Sequence, residues 1–492
     1  MLASKFFRNK RTGTELRDVV ITKIKKPDNI KSCINSASVS TSPESRSKRK
    51  IKGAKPAPSP KSLAKRRRLA PRLIYADESD DNGQICDQPI LGIDDTKIRI
   101  CDVNPDSFSS ALEKISVVTA DHVIKAEKNK YTHFPAQQDR VSMMYPADPF
   151  IEEYPLVQPK HKDDFDPTAE LIRIVEMTSL ILPAEYFCEY REGVERLVRS
   201  AIRKENEKDL RAAIDKHNHI VLQLRLNGTI KQHLACGQVY LTAKMLQYLL
   251  ISAYSRTVGP YVESLSNYKA WSSNVYGELL PAFLSRLFSE LKLVQDSVFV
   301  DLGCGVGSCV LQAALQVGCE SFGVEISPEP VKLAKNQLVE FKSRLRLFGI
   351  NAGEMTIVEG DMLANEETTK AMQKADLVLV NNYAFDADLN NRLLGLFLEL
   401  KDGAHIVSLK TFVPLNHTIS ERNLDNPASI LSVEQKDFGP GSVSWSNFSG
   451  PFFISTIDRS RISRFLKERY IKIDSVIPYD LAQNRLPYEP EL

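Results

Sequence analysis

Residues 298–325 read VFVDLGCGVGSCVLQAALQVGCESFGVE, and this stretch decides the fold. The apolar, β-branched run Val298–Val300 leads through Asp301 into a glycine-rich turn at Gly303–Gly307. Apolar residues then recur at helical spacing, and a second short apolar run, Phe322–Val324, stops at Glu325. A strand, a glycine turn, a helix and a second strand that ends in an acid form a βαβ unit, which is typical of sheets that bind nucleotides.

The glycine turn and the two acids indicate which ligand the unit binds. Backbone without Cβ atoms at Gly303, Gly305 and Gly307 turns sharply and lets a ligand approach main-chain atoms. A carboxylate at the end of the second strand, Glu325, can accept hydrogen bonds from both ribose hydroxyls. Asp301, just before the turn, can contact a cationic amino group, which suits S-adenosylmethionine better than NAD. A glycine turn without a ligand is the alternative, and the complete βαβ context argues against it.

Length and composition bound the rest of the chain. With 492 residues, of which 42% are hydrophobic, it is long enough for two or three domains and a sizeable core. None of its eight cysteines forms a CxxC pair, so neither a zinc site nor a disulfide framework is indicated, and no metal is expected. No apolar run approaches the roughly 18 residues of a transmembrane helix, so a soluble chain in a reducing compartment is expected.

Residues 1–140 lack sustained hydrophobic periodicity and are predicted to be a disordered basic tail. Between residues 45 and 76 there is no Asp or Glu. Such a block fits a nuclear import signal and can bind nucleic-acid phosphates, and a merely solubilising tail is the third interpretation. The residues expected to bind such phosphates are Arg46, Lys48, Arg49, Lys50, Lys65, Arg66, Arg67 and Arg68.

The rest of the chain divides into two parts. Residues 145–275 carry helical apolar spacing, with long helices predicted over Val194–Leu226 and Thr229–Ser255, and are expected to form a small helical domain. In residues 276–492, strands alternate with helices and a pair of strands comes last. That order predicts a doubly wound α/β fold with a seven-stranded mixed sheet and its site at the C-terminal ends of the strands.

Several motifs are more specific than the glycine turn and occur in a fixed order. They are YGE at Tyr276–Glu278, GVE at Gly323–Glu325, GD at Gly360–Asp361, NNYAF at Asn381–Phe385, GSVSW at Gly441–Trp445 and TIDR at Thr456–Arg459. Over about 145–470 the sequence resembles the disruptor-of-telomeric-silencing family, class I S-adenosylmethionine-dependent enzymes that methylate a histone H3 lysine on the nucleosome. The basic tail before the core is similar to that of the fungal members.

The resemblance implies roles for individual residues. The cofactor would be S-adenosyl-L-methionine, lined by Tyr276, Glu278, Asp301, Gly303, Gly305, Gly307, Glu325, Asp361, Met362 and Asn381. The catalytic residues around the lysine channel would be Asn381, Phe385, Trp445 and Phe452. The sequence departs from the family pattern at Cys304, Tyr383 and Phe452–Phe453, which stand where serine, phenylalanine and a tyrosine pair are usual.

The resemblance also implies a substrate and partners. The substrate would be lysine-79 of histone H3 on the nucleosome, with histone H4 and ubiquitinated histone H2B as further partners. The location would be the nucleus, and the roles chromatin silencing and the response to DNA damage. No membrane partner is expected.

Two other functions compete with lysine methylation. Enzymes that methylate nucleic-acid amines, such as adenine N6, place an Asn or Asp before Pro-Pro-aromatic at the same strand end, and the aromatic stacks on the base. Here Asn382 and Tyr383 follow Asn381 instead of the proline pair, and together with Trp445 this favours lysine. The third candidate is a chromatin-binding module without activity, which would not need the glycine turn and the acid at the strand end.

Overall fold

The computed structural model of the chain describes residues 98–99, 116–132, 139–236, 239–262, 265, 277–444 and 446–476. Its strands are β1 Ile98–Arg99, β2 Arg140–Met144, β3 Ile151–Pro155, β4 Tyr240–Leu241, β5 Val298–Leu302, β6 Glu320–Glu325, β7 Met355–Glu359, β8 Leu377–Val380, β9 His405–Ser408, β10 Leu431–Phe438 and β11 Gly450–Ile457. Its α-helices are α1 Ala120–Ala126, α2 Pro167–Ile181, α3 Ala184–Tyr190, α4 Arg196–Arg203, α5 Glu207–Leu226, α6 Thr229–Ala235, α7 Ala243–Thr257, α8 Pro281–Glu290, α9 Ser308–Gln316, α10 Pro328–Phe348, α11 Glu366–Lys374, α12 Ala387–Leu396 and α13 Ser460–Val476.

Seven strands form one mixed sheet, in the order β10-β11-β9-β8-β5-β6-β7. Strands β5 to β9 run parallel, whereas β11 is antiparallel to β9 and β10 is antiparallel to β11. The chain moves outward from β5 to β7, returns to β8 on the other side of β5, and then moves outward again. This is the doubly wound topology, and it confirms the predicted class I methyltransferase fold with the glycine-turn unit at its centre.

Helices cover both faces of the sheet, because the central strands are apolar on both sides. All four residues of β8 are buried. Leu377 and Leu379 pack in the core that contains α8, and Val378 and Val380 pack in the core beneath α11 and α12. A strand without a solvent face is expected to be a nearly continuous apolar run, which the sequence here is.

The helical part, predicted over residues 145–275 as the N-terminal part of the catalytic core, shares a hydrophobic core with the sheet's helices. Its helices pack in one core with Leu311 of α9 and with Phe341 and Phe348 of α10. The predicted tail ends too late, because Ala120 and Val123 of α1 are buried in the same core. The sequence did not predict α1, because its apolar residues are too few to show a helical periodicity.

The two long helices predicted in this region are interrupted, and local backbone explains each break. Val194–Leu226 divides where Glu205 adopts a φ of 51° and the Asn206 side chain then caps α5 by accepting from the Asp209 N–H at 3.1 Å. Thr229–Ser255 divides at the short strand β4, after which Thr242 caps α7. A side-chain cap satisfies a free N–H of the first helical turn, so these residues begin new helices.

A fully buried cluster of charges ties this part to the sheet. Glu152 on β3 contacts Arg256 on α7 at 2.8 Å and Arg344 on α10 at 2.9 Å. Arg256 also contacts Glu170 at 3.3 Å, and Arg344 contacts Glu340 at 2.7 Å. Burial alone would raise the pKa of Glu152, but attraction to the two arginines outweighs burial and lowers it. The cluster therefore fixes β3, α7 and α10 relative to one another.

The described part of the chain shows neither a membrane-spanning helix nor a cluster of metal ligands. Among its helices, none is long and apolar enough to span a bilayer. No group of three or more His, Cys, Asp or Glu side chains in these ranges could hold a metal ion. The cysteines described there, Cys188, Cys236, Cys304, Cys309 and Cys319, are all free thiols.

Candidate cofactor pocket and active site

A cavity of about 220 Å³ opens at the C-terminal ends of β5, β6 and β8. Its wall is formed by residues from five segments, 277–279, 301–309, 324–327, 360–363 and 379–392. β5 and β8 are neighbours whose connections leave in opposite directions, and in doubly wound sheets a crevice forms at such a point. The fold thus brings five distant segments to one edge of the sheet.

The glycine turn after β5 forms part of this wall. Gly303 has a φ of 85°, and a Cβ there would point toward Phe385 Cζ at 3.8 Å and Met362 Cε at 4.0 Å, two residues of the opposite wall. Gly307 has a φ of 82°, and a Cβ there would lie 2.5 Å from Ile357 Cδ1. The first glycine therefore keeps the pocket open, and the second lets α9 begin against β7.

Glu325 at the end of β6 is held by main-chain donors. Its Oε2 accepts the Gly305 N–H at 3.1 Å, and its Oε1 accepts the Ser327 N–H at 2.8 Å. The glycine turn has a second tether, because buried Gln337 on α10 donates from Nε2 to the Val306 carbonyl at 3.2 Å. Sequence reasoning missed Gln337, since a single amide in a long helix carries no signal of its own.

The electrostatics of Asp301 in the pocket differ strongly from those of a carboxyl group in water. Its side chain is buried at the end of β5, and Cys309 forms a hydrogen bond with it. Burial raises the pKa of Asp301 to about 7, repulsion by Glu325 acts in the same direction, and the Cys309 hydrogen bond opposes both. Among the described residues, no Lys, Arg or His forms an ion pair with this carboxylate. A cationic ligand group would relieve the cost of its ionisation.

The opposite wall combines one acid with apolar side chains. Asp361 follows β7 and accepts the Leu363 N–H through Oδ1 at 2.9 Å. Met362 lies beside it, and Phe385 and Leu389 approach from the connection between β8 and α12 and from α12 itself. A carboxylate beside apolar side chains can accept from an exocyclic amine while the ring of a base packs on the apolar surface.

The two asparagines after β8 have different roles. Asn381 lines the pocket and donates from Nδ2 to the Gly277 carbonyl at 2.9 Å. Asn382 is fully buried, and its Oδ1 accepts from the Leu409 and Lys410 N–H groups at 3.0 and 2.8 Å. The first asparagine therefore fixes a pocket segment, and the second joins the ends of β8 and β9.

Sequence comparisons identify the family. A family model described as "Histone methylation protein DOT1" matches residues 254–457, a range that contains every residue of the pocket wall. A Yarrowia lipolytica protein named "Histone-lysine N-methyltransferase, H3 lysine-79 specific" is 42% identical over 337 residues, which cover 67% of this chain and 68% of that protein. The chain belongs to the DOT1 family.

Two further relatives agree with this membership. Proteins of the same name from Aspergillus fumigatus and Gibberella zeae are 40% and 37% identical over 329 and 361 residues. These matches cover 66% and 71% of this chain and 65% and 72% of those proteins. A solved structure titled as a putative RNA methyltransferase from Pyrococcus horikoshii aligns with 18% identity and a TM-score of 0.29, over 44% of this chain and 99% of that one. The resemblance that the motifs indicated is confirmed.

The pocket fits the cofactor of the DOT1 family, S-adenosyl-L-methionine. Asp301 supplies a buried carboxylate for the amino group, and the glycine turn leaves space in which main-chain atoms are exposed to a ligand. Glu325 and Asp361 supply acceptors at the ends of β6 and β7. The prediction of this cofactor is confirmed.

Most of the predicted site residues lie together in this wall. Of the cofactor residues, Glu278, Asp301, Gly303, Gly305, Glu325, Asp361, Met362 and Asn381 line the cavity, and Gly307 begins α9 beside it. Of the predicted catalytic residues, Asn381 and Phe385 line it. Tyr276, Trp445 and the eight basic tail residues lie outside the described part of the chain.

Phe452 is placed elsewhere, which corrects its predicted position around the channel. Its side chain is fully buried and packs edge-on against Phe283 of α8, with ring centroids 5.2 Å apart. The Arg286 guanidinium lies 5.7 Å from the Phe452 ring centroid. Because side chains alternate along β11, the strand register turns Phe452 toward α8 rather than toward the pocket.

Proposed function

We propose that this chain transfers methyl groups from S-adenosyl-L-methionine to lysine-79 of histone H3 on the nucleosome. The observation that carries the proposal is the match of the DOT1 family to residues 254–457, which include the whole pocket wall. The relatives that are about 40% identical bear the name of that activity. The buried carboxylate supplies a negative charge for the donor's amino group, and the open glycine turn supplies space for the donor.

The pocket residues bind and orient the donor. Asp301 pairs with its amino group, and Glu325, already held by two main-chain N–H groups, keeps lone pairs for the ribose hydroxyls. Asp361 accepts from the base while Met362 and Phe385 pack against it. When bound, the cofactor supplies an electrophilic methyl group on a positively charged sulfur.

The substrate amine must be neutral to react, and the chain must favour that form. A free lysine with a pKa near 10.4 is neutral in only about one part in a thousand at physiological pH. Apolar surface such as Phe385 penalises the ammonium and so lowers the pKa of a lysine beside it. Positioning and exclusion of water then provide most of the rate.

Neither His405 nor His417 is suited to act as a general base. His405 begins β9, at the edge of the parallel strands opposite the pocket, and its Nδ1 lies 3.0 Å from Thr456 Oγ1. Burial lowers its pKa, so it is neutral and structural. His417 is not part of the pocket wall. We expect the amine to lose its proton to solvent before transfer.

The proposed partners extend beyond histone H3. Membership of a histone-methylating family implies action on chromatin and therefore in the nucleus. We infer that the basic block of residues 46–68 binds nucleosomal DNA through its phosphates and serves nuclear import. Contacts with histone H4 and with ubiquitinated histone H2B, and roles in silencing and the DNA-damage response, belong to the same proposal.

A methylation assay with tritiated S-adenosylmethionine tests the function directly. The full chain is given nucleosomes, nucleosomes whose histone H3 carries arginine at position 79, free histone H3, or naked DNA or RNA. Label on the first substrate and none on the second is the expected result. Label that persists on the arginine nucleosomes would refute the assignment of the lysine, and label on nucleic acid would support adenine methylation instead.

A chromatin-binding module without activity would give a different pattern. It would bind nucleosomes, but it would not bind S-adenosylhomocysteine and would not transfer labelled methyl groups. Calorimetry with S-adenosylhomocysteine on the wild type and on Asp301→Asn separates this case from an enzyme. Binding by the wild type that is lost in the variant supports the enzyme, because the variant lacks the charge that faces the amino group.

A further inference from the structure

Two chain segments on different sides of the site are paired with each other. The Glu278 N–H donates to Ser444 Oγ at 2.9 Å, and the Ser444 N–H donates back to the Glu278 carbonyl at 2.9 Å. The Leu280 N–H donates to the Ser442 carbonyl, also at 2.9 Å. Together with the antiparallel bridge between Leu279 and Val443, these bonds form a short two-stranded ladder.

One partner in this ladder belongs to the cofactor pocket. Gly277, Glu278 and Leu279 all line the cavity. One residue before the ladder, the Asn381 amide donates to the Gly277 carbonyl at 2.9 Å. Asn381 therefore holds the first residue of the segment 277–280, and the ladder holds the others. A ligand that contacts this segment affects the hydrogen bonds at both places.

The other partner belongs to residues 439–449, the β10–β11 connection. β11 runs antiparallel to β9 and Phe453 pairs with Ser408, so this connection lies at the same edge of the sheet as the pocket. Phe448 in the connection is 80% exposed. A substrate that approaches the pocket from solvent meets this connection on one side.

The Ser444 hydroxyl is the only side-chain group among the three hydrogen bonds of the ladder. The other two join main-chain atoms and survive most substitutions. Without the hydroxyl, the partly buried Glu278 N–H loses its acceptor at the point where the two segments meet. The local bond from the Phe448 N–H to Ser446 Oγ, at 3.0 Å, lies within the connection and does not reach the pocket.

We propose that Ser444 is a positioning residue that couples the cofactor pocket to the β10–β11 connection, so that a filled pocket holds the connection in place for the substrate. The coupling rests on the proposed methyl-transfer function and links cofactor binding to nucleosome binding. Because coupling between two binding sites is reciprocal, nucleosomes and cofactor tighten each other's binding by the same factor.

Hydrogen exchange measured by mass spectrometry tests the coupling without relying on activity. Full-length wild type, Ser444→Ala, Ser444→Thr and Ser446→Ala are compared with and without S-adenosylhomocysteine, at concentrations that calorimetry shows to be saturating. Peptides that cover residues 439–449 are followed. Nucleosome affinity is measured for each protein in the same two conditions.

In the wild type, S-adenosylhomocysteine should slow exchange in the connection and tighten nucleosome binding, each by about fivefold, the effect of one hydrogen bond. Ser444→Ala should still bind S-adenosylhomocysteine but lose both effects. Ser444→Thr, which keeps a hydroxyl, should retain them. Ser446→Ala, which removes only the local bond, should behave like the wild type.

Two results overturn the proposal in distinguishable ways. Equal protection and equal tightening in the wild type and Ser444→Ala would show that the hydroxyl does not couple the two segments, whereas methyl transfer would stand. Failure of the wild type to bind S-adenosylhomocysteine would overturn the cofactor assignment and the coupling together. Loss of the effects in Ser446→Ala as well would show a general loosening of the connection and would also count against Ser444.

Discussion

Replacement of Asp301 by asparagine should stabilise the free protein and weaken cofactor binding at the same time. The pKa of Asp301 rises from its ordinary value of 3.8 to about 7, because burial and Glu325 both oppose its charge. Such a rise in pKa, from 3.8 to about 7, corresponds to about 4 kcal/mol in the free energy of unfolding. Asparagine keeps the shape of the side chain without its charge.

The pH dependence gives the sign of the effect. The pKa of Asp301 is higher in the folded protein than in the unfolded one. Its contribution to the free energy of unfolding is therefore fully present below pH 3.8 and is lost as the pH rises through about 7, where the buried carboxyl loses its proton. Asp301→Asn should therefore match the wild type near pH 4 and exceed its free energy of unfolding by up to about 4 kcal/mol near pH 8. The partial loss of the Cys309 hydrogen bond would reduce this gain.

Urea unfolding at several pH values between 4 and 8 measures the difference, and S-adenosylhomocysteine provides the second readout. The ligand should stabilise the wild type at pH 8 but leave Asp301→Asn unchanged, because only the carboxylate can pair with its amino group. Asp376→Asn is the control, since that carboxylate faces Lys401 at 2.6 Å and its removal should not stabilise at any pH. A difference between Asp301→Asn and the wild type that does not grow with pH would refute the reasoning.

Three further predictions follow from the packing. Gly303→Ala should cost about 1–2 kcal/mol, because the residue has a φ of 85°, and should weaken S-adenosylhomocysteine binding, as urea unfolding and calorimetry can measure. Glu152→Gln should cost about 3–5 kcal/mol in the free energy of unfolding, since it leaves buried arginines without their charge partner, whereas Glu207→Gln, at an exposed pair with Arg211, should cost at most about 1 kcal/mol. Deletion of residues 1–97 keeps β1 and should leave the thermal midpoint within a few degrees of wild type, whereas deletion of 1–130 removes α1 as well and should lower it sharply; equal midpoints would contradict the packing of α1.

The short-range patterns of the sequence predicted the nucleotide-binding unit well. The strand, glycine turn, helix and acidic strand end lie where the spacing of residues 298–325 placed them. Gly228 ends a helix as expected, with a φ of 79°. These features depend on interactions between residues a few positions apart, so a short stretch of sequence is enough to predict them.

The helical part was harder to predict because its core is assembled from distant pieces. The hairpin of β2 and β3 lies across the predicted boundary between the tail and the helical part, where no strand was expected. α1 contributes only a few buried residues and packs on β3, and just before it the Val118 N–H donates to Glu340 of α10, 222 positions away, at 2.6 Å. A local window contains no sign of such partners.

By itself, the sequence determined the class I unit, the acids Asp301 and Glu325 and the family, because each depends on a motif that its residues complete locally. Only the tertiary structure decided that Phe452 faces α8, that Asn382 joins two strands and that Ser444 meets Glu278 across 166 positions. The register of β11 and the convergence of loops at one sheet edge fix these contacts. Both are set by the packing of the whole sheet, which no single stretch of sequence contains.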